Sequence, residues 1–358
     1  MPKVSVLMPV YKVEKYLKQC LDSVVKQTLE DIEIIIVDEG EQDECRRIID
    51  EYESKDSRIV TIHEKNGAYG VALNKAIEKA SGEYIGIIET DDFIDSNMFE
   101  DLYNLAKKFD ADIAKSDWFV YHTQEDKSFK VGLIPSFLTN RVTNVKKDIY
   151  LLKIPPSIWS AIYKRDFIMN NNIRFVDKIN HSYQDTSFKF KTFALADKIV
   201  LTNKAYVHYR VDSEGSTCNT GGKIYAICDE YKEITKFLNE HKDLKEILNN
   251  RKLLNEYNAY VWNSKRINKD FRQEFINKFS QIFSEYNNNN EINKQFFKKV
   301  NRKEFELLIN NPEKYKALID RKIFFAKLKD FRKKLLTVRF NSSRAYICIF
   351  GKTILEVG

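Results

Sequence analysis

Apolar runs and amphipathic stretches alternate along the first third of the chain. Residues 3–8 (Lys-Val-Ser-Val-Leu-Met) have the pattern of a strand. Residues 32–37 (Ile-Glu-Ile-Ile-Ile-Val) have that of a second, whose nearly unbroken apolar run suits a parallel strand covered on both faces. Between them Tyr16, Leu17, Cys20, Leu21, Val24 and Val25 recur at helical spacing and predict a helix over 14–26. A polar helix over 42–55, a strand over 58–63, a helix over 69–80 ended by Gly82, and a strand over 84–88 follow. A helix capped by Ser96 runs to about 109. This repeat predicts an α/β fold, a doubly wound sheet with a Rossmann-like first half and right-handed crossovers. Such sheets bind ligands beyond the carboxyl ends of their strands. The polar segments 9–14, 38–43, 64–70 and 89–95 all fall there.

The pattern then becomes mixed. Strand-like stretches at 112–121, 129–133, 199–202 and 205–210 alternate with helical ones at 146–153, 165–171 and 185–196. From 221 the period is helical to about 334, interrupted at Asn287–Asn290, with Pro312 placed to open a helix. Short strands are expected over 335–340 and 344–350. The predicted organisation is one domain over 1–218, with halves 1–110 and 111–218, a helical domain over 219–320, and a basic amphipathic tail with short strands over 321–358.

Composition narrows the setting. The 358 residues are 43% hydrophobic and 31% charged, which supplies a sizeable core for about two domains. No apolar run reaches the roughly 18–20 residues of a membrane span. Met1-Pro2-Lys3 leads directly into a strand pattern rather than a signal peptide. The five cysteines are scattered with no C-x-x-C pair, as in a reduced, cytoplasmic protein. The net charge of +7 is concentrated: residues 321–344 hold nine Lys or Arg against the single acid Asp330, and the remainder is close to neutral. A nucleic-acid binder would carry its basic surface on the fold itself, so no nucleic-acid partner is expected. Phe324, Phe325, Leu328, Phe331, Leu335 and Leu336 among these cations suit a peripheral contact with an anionic membrane surface. Packing on the chain's own domain, or on a second subunit in a homodimer, is the alternative.

The loops carry the candidate chemistry. Pro9-Val10-Tyr11-Lys12-Val13 stands where a dinucleotide fold has its Gly-x-Gly-x-x-Gly turn, and there is no Gly-x-x-x-x-Gly-Lys-Ser/Thr loop. Ile87-Ile88-Glu89-Thr90-Asp91-Asp92-Phe93-Ile94-Asp95 instead gathers carboxylates at the end of a buried strand, and Asp38 ends another. Such like charges repel unless a cation or hydrogen-bond donors neutralise them. Mg²⁺ or Mn²⁺ would take these oxygens and leave positions for phosphate and water. The same acids also suit solvated turn positions. Asn66-Gly67 precedes a helix and either approaches a ligand or shapes a turn. Asp185 is either a general base or a helix N-terminal acid. His208 and Arg210 end a strand pattern.

At these residues the chain resembles the family 2 glycosyltransferases, GT-A fold enzymes of bacterial surface polysaccharide synthesis. The matching segments are Val4 to Leu17, Cys20-Leu21-Asp22-Ser23-Val24, Gln27-Thr28, Ile34 to Asp38, Asn66-Gly67 with Ala72-Leu73-Asn74, Thr90-Asp91-Asp92, Gln184 to Phe188, and Tyr209-Arg210 with Gly215-Ser216-Thr217. They cover roughly residues 3–217.

The resemblance implies a GT-A-type mixed sheet and an inverting transfer from a nucleotide-diphosphate sugar, typically a UDP-sugar. The acceptor would be a glycan or lipid-linked glycan of a surface polysaccharide, capsule or lipooligosaccharide. Pro9, Tyr11 and Glu14 would line the nucleotide pocket with Asp38 on the base, and Asn66, Glu89 and Thr90 would complete the donor side. Asp91 and Asp92 would hold the ribose and a diphosphate-bound Mn²⁺ or Mg²⁺ between them. Asp185 would be the catalytic base, and His208 and Arg210 would close over the diphosphate. Several positions depart from the family pattern: Glu39 and Glu41 after the second strand, Leu73 where Arg is common, Glu89 for the first acid-motif Asp, and Gln184 for Glu. A nucleotidyltransferase and a catalytically weak nucleotide-sugar-binding scaffold are the competing classes. The first would want a Gly-rich basic loop after strand one, which Pro9-Val10-Tyr11 does not supply.

Overall fold

The computed structural model describes residues 1–40, 43–64, 68–178, 182–213, 223–341, 344–349 and 352–357, with side chains described up to 329 and at 331. Asn66, Gly67, Glu41 and Gly215-Ser216-Thr217 lie outside the described residues. The chain forms two compact units, Met1–Asn255 and Glu256–Gly358.

The first unit opens with β1 (Val4–Val10), α1 (Glu14–Val25), β2 (Ile32–Asp38), α2 (Glu44–Glu53), β3 (Ile59–His63), α3 (Tyr69–Lys79) and β4 (Tyr84–Ile87). It continues with β5 (Phe93–Ile94), α4 (Met98–Phe109), β6 (Ile113–His122), β7 (Lys127–Lys130), β8 (Val142–Thr143), β9 (Ala161–Lys164), α5 (Arg165–Asn170), α6 (Asp185–Leu195), β10 (Ile199–Arg210) and α7 (Ala226–Glu240). The predicted order holds through α4. Ser96 is not the cap of α4: the helix starts at Met98 after Asn97, and the Ser96 carbonyl instead accepts from Thr28 N at 2.8 Å. Helix expected at 146–153 is a short 3₁₀ turn, Ile149–Lys153.

The sheet runs β3-β2-β1-β4-β9-β6-β10-β5, with β7 added to β6 and β8 to β10. β1, β2, β3 and β4 are parallel, and β9 is antiparallel to both β4 and β6. The sheet is therefore mixed, as expected for a GT-A architecture. β1 is buried at every residue and β2 at all but Glu33, which explains their unbroken apolar runs. The two strand patterns at 199–202 and 205–210 are one strand whose register on β6 shifts around Ala205, a bulge that the polar Thr202-Asn203-Lys204 interruption foreshadows.

α7 also belongs to this unit, although a separate helical domain was expected from residue 219. It packs on α6, where Ser187 N donates to Glu230 Oε2 at 2.9 Å. α8 (Lys242–Arg266) follows. The second unit contains α9 (Lys269–Asn288), α10 (Lys294–Phe297), α11 (Arg302–Asn310), α12 (Pro312–Leu335) and an antiparallel sheet of β11 (Leu336–Asn341), β12 (Arg344–Ile349) and β13 (Lys352–Val357). Asn268, Asn293 and Asn301 cap α9, α10 and α11 through their side chains. The core of this unit is aromatic: Tyr260, Phe275, Phe279, Phe283, Phe305 and Tyr315 are buried and meet mainly edge to face.

Candidate active site

The site is built around the loop that leaves β4. Ile88 N still donates to Leu7 O at 3.0 Å, so the chain follows β1 one residue beyond the strand. Thr90 Oγ1 then donates to Pro9 O at 2.8 Å and ties the loop to the end of β1. Asp92 N turns back to Glu89 O at 3.1 Å. β5 carries the chain onto β10, pairing Phe93 with His208. The turn gathers Glu89, Asp91 and Asp92 within a few residues at the carboxyl end of the parallel strands.

β10 braces this loop from behind. Arg210 N donates to Asp92 Oδ1 and Arg210 Nε to the Asp91 carbonyl, both at 2.8 Å. The guanidinium also donates to Gln19 Oε1 and Thr123 Oγ1, each at 2.6 Å, and lies over the rings of Tyr16 and Tyr121. Arg210 is 3% exposed and supports the acid loop in this structure. His208 is likewise committed. Its Nε2 meets Asp95 Oδ1 at 3.0 Å, its Nδ1 meets Ser128 Oγ at 2.6 Å, and its ring is stacked between Phe93 and Phe119. Both residues that the resemblance places over the diphosphate thus make hydrogen bonds that brace the acid loop and its neighbours in this structure.

The other expected donor-side residues divide into wall and support. Tyr11 is exposed after β1, with Lys12 Nζ over its ring at 5.0 Å, and Lys12 adopts a positive φ of 53°. Glu14 is exposed at the start of α1 and accepts a weak hydrogen bond from Cys45 Sγ. Asp38 is fully buried: it accepts from Gly40 N at 3.1 Å, pairs with Arg46 Nε and meets His63 Nδ1 at 3.3 Å. Its carboxylate thus holds the end of β2, the loop after it and α2 together. Leu73, where the family often has Arg, is fully buried in α3.

α6 delivers Asp185. Tyr183, two residues earlier, has a φ of 67°, a left-handed conformation that non-glycine residues adopt mostly where surrounding structure enforces it. Thr186 N turns back to Tyr183 O at 2.9 Å. Burial and then the charge of Glu230 push Asp185 up to about 7, against stabilising hydrogen bonds from Thr186. Burial pushes Glu89 up to about 8, opposed by a hydrogen bond from the Tyr69 hydroxyl and reinforced by the charges of Asp91 and Asp185. Thus α6 brings Asp185 into the electrostatic reach of the β4 loop. Burial also raises Asp91 and, with the Asp91 charge, Asp92.

Among the described residues Asp92 Oδ2 is buried without a hydrogen-bond partner, close in sequence to two more acids, Glu89 and Asp91. A desolvated, repelling carboxylate set with an orphan oxygen fits a hard divalent cation. Among the described residues no three such side chains are grouped to hold an ion by themselves. An ion on Asp91 and Asp92 would draw its other ligands from substrate oxygens and water, as Mg²⁺ commonly does.

Three residues of this site escape the sequence patterns read above. Tyr69 supplies the hydroxyl on Glu89, Arg46 pairs with Asp38, and Glu230 sets the field on Asp185. Only Glu230 had a detectable signal: it is an acid on the apolar stripe of α7, between buried Ile227 and Ile234.

Residues 5–186 match the model of glycosyl transferase family 2. The uncharacterized glycosyltransferase EpsJ of Bacillus subtilis is 30% identical over 222 residues, covering 60% of this chain and 63% of EpsJ. The poly(ribitol-phosphate) beta-glucosyltransferase of Bacillus spizizenii is 30% identical over 218 residues, covering 60% of this chain and 33% of that enzyme. The chain thus spans less than two thirds of these relatives. The structure of S. aureus TarS 1-349 in complex with UDP-GlcNAc superposes with a TM-score of 0.62 at 19% identity, over 97% of each chain. Among the described residues no helix is long and apolar enough to cross a membrane. The family match runs from β1 through the β4 acid loop to the first turn of α6, where Asp185 stands, and the chain belongs to glycosyl transferase family 2, with the GT-A fold.

Proposed function

We propose that this chain is an inverting, metal-dependent glycosyltransferase that moves a sugar from a nucleotide-diphosphate donor, foremost a UDP-sugar, to a hydroxyl of a glycan acceptor in bacterial surface polysaccharide synthesis. One observation carries the proposal: Asp185 lies within electrostatic reach of Glu89 in the β4 acid loop and is itself pushed up to about 7. A base poised near neutral pH is matched to proton abstraction from a hydroxyl. The likeness of the fold to a UDP-GlcNAc complex of TarS supports the choice of donor class.

In the proposed step the acceptor oxygen attacks the anomeric carbon and its proton passes to Asp185. The bond from that carbon to the diphosphate oxygen breaks on the opposite face, and the electron pair leaves with the nucleotide diphosphate. Mn²⁺ or Mg²⁺, held by Asp91 and Asp92, would supply positive charge for the leaving diphosphate. Arg210 holds those two acids in place through its backbone and guanidinium hydrogen bonds. Tyr11 and Glu14 border the nucleotide side, with Pro9 and Thr90 joining β1 to the acid loop. We place the acceptor on a growing glycan, free or lipid-linked, with the enzyme peripheral to the inner face of the cytoplasmic membrane.

A donor screen tests this. The full chain is incubated with Mn²⁺ and UDP-, GDP-, CDP- or dTDP-sugars, and released nucleotide diphosphate is measured. Slow, chelator-sensitive release from one donor, lost in Asp91→Ala and Asp92→Ala, is expected. Release of pyrophosphate from a nucleoside triphosphate and sugar phosphate would replace this proposal with a nucleotidyltransferase. Donor binding with no release, even with oligosaccharide acceptors, would replace it with a scaffold.

A further inference from the structure

The last turns of α12 have two unlike sides. Tyr315 and Ile319 are fully buried in the second unit, and Lys322 pairs with Glu304 at 2.7 Å, which fixes the inward side of the helix. Leu328 lies nine residues beyond Ile319, two and a half turns on, and so falls on the opposite side. Phe324, Leu328 and Phe331 follow at helical spacing, with Phe325 beside them. Phe324, Phe325 and Phe331 are 62%, 57% and 52% exposed, and Phe324 and Phe325 touch edge to face. Arg321, Lys327 and Lys329 are exposed around this stripe.

We infer that this face of α12 docks in the plane of an anionic lipid surface, the phenylalanines entering the acyl boundary and the cations meeting the headgroups. The charge and the apolar stripe select this occupant together. A soluble polyanion would need only the cations and would leave the exposed Phe324 and Phe325 in water. A purely apolar partner would leave unmatched a segment whose residues 321–344 hold nine Lys or Arg and one acid. A negative leaflet satisfies both, apolar at depth and anionic at its rim. The inference deepens the membrane-side placement proposed above and rests on it, but not on the transfer chemistry.

The test is flotation of the full chain with vesicles of phosphatidylcholine alone or phosphatidylcholine with about 30% phosphatidylglycerol, without donor, at low and high salt. Binding to the anionic vesicles alone is expected, weakened by salt. Lys327→Glu with Lys329→Glu should cost more than about tenfold, since each surface cation contributes roughly fivefold. Phe324→Ser with Phe325→Ser should abolish the salt-resistant part, while circular dichroism and nucleotide release stay as in the parent. No binding, or equal binding to neutral vesicles that the lysine changes leave intact, would overturn the inference. So would concentration-dependent self-association removed by the phenylalanine changes, which would assign this face to a second copy. Because release is measured separately, failure here and failure of the transferase proposal are distinguishable.

Discussion

The backbone N–H of Arg210 donates to Oδ1 of Asp92 at 2.8 Å across 118 residues of sequence. The last residue of β10 is thereby fastened to an acid of the β4 loop. The other oxygen of Asp92 is buried and has no hydrogen-bond partner among the described residues. One side of the carboxylate is spent on architecture, and the other is the oxygen on which the proposed cation would rest.

Asp185 carries the sharpest test. Asp185→Asn removes a proton acceptor at nearly constant shape. It should keep donor binding and thermal stability while lowering nucleotide release by about 10²–10⁴-fold. In the parent, release should rise with pH up to about 7 and level off above, because the base works only when ionised and its carboxyl sits near 7. A flat profile between pH 5.5 and 8.5 with full activity in the variant would assign the proton transfer elsewhere.

Gly70 lies in the first turn of α3, where alanine would ordinarily favour a helix. Here a Cβ would stand 2.4 Å from Gln184 Oε1 and 2.5 Å from the Val176 carbonyl oxygen. Gly70→Ala is expected to destabilise by about 1–3 kcal/mol, seen as a lower Tm. Because Gln184 directly precedes Asp185, activity should fall further than stability at a temperature where the variant is fully folded. Unchanged Tm would mean that the Val176 segment gives way without cost.

His208 separates a scaffold role from a ligand role. Its two nitrogens and both ring faces are engaged by Asp95, Ser128, Phe93 and Phe119. His208→Ala should cost about 2–3 kcal/mol of stability. Donor affinity, measured by calorimetry below the transition, should change less than about threefold. A large loss of affinity at unchanged Tm would return His208 to the diphosphate.

Glu39 gives a pH signature. Burial, then the charges of Asp38 and Glu64, push it up to about 7 from the ordinary carboxylate range. Between roughly pH 4.5 and 7 the folded chain holds a proton that the unfolded chain releases, so this group's contribution to stability falls as pH rises and is fully lost above 7. Glu39→Gln should therefore leave stability near the parent's at pH 4.5. It should gain up to about 2 kcal/mol at pH 8, after allowance for solvent screening. Thermal melts of both proteins across that range measure the difference.

Much of this molecule is determined by local pattern. The apolar runs of β1 and β2 and the helical stripes of α1, α3 and α4 follow from side-chain period, which fixes which face must leave water. Asp91 and Asp92 are legible for a related reason: carboxylates clustered directly after a buried strand repel one another unless neutralised, whereas Asp185, which also suits an ordinary helix start, is singled out only by the family resemblance. What the chain does not announce locally, tertiary structure decides. β9 and β5 are too short to have a readable period, and their ladder hydrogen bonds come from the distant β4, β6 and β10. The partners of each charge are also set across distance. Arg210 and His208 look like ligands in sequence and are found hydrogen-bonded to the acid loop and to Ser128, while Tyr69 and Glu230, unremarked in sequence, modify the burial-raised proton affinities of Glu89 and Asp185, the first lowering and the second raising. Residue type fixes what a side chain is able to bind. Only the fold, by burying one carboxylate against a hydroxyl and another against a second charge, fixes what it does bind and at which pH it holds a proton.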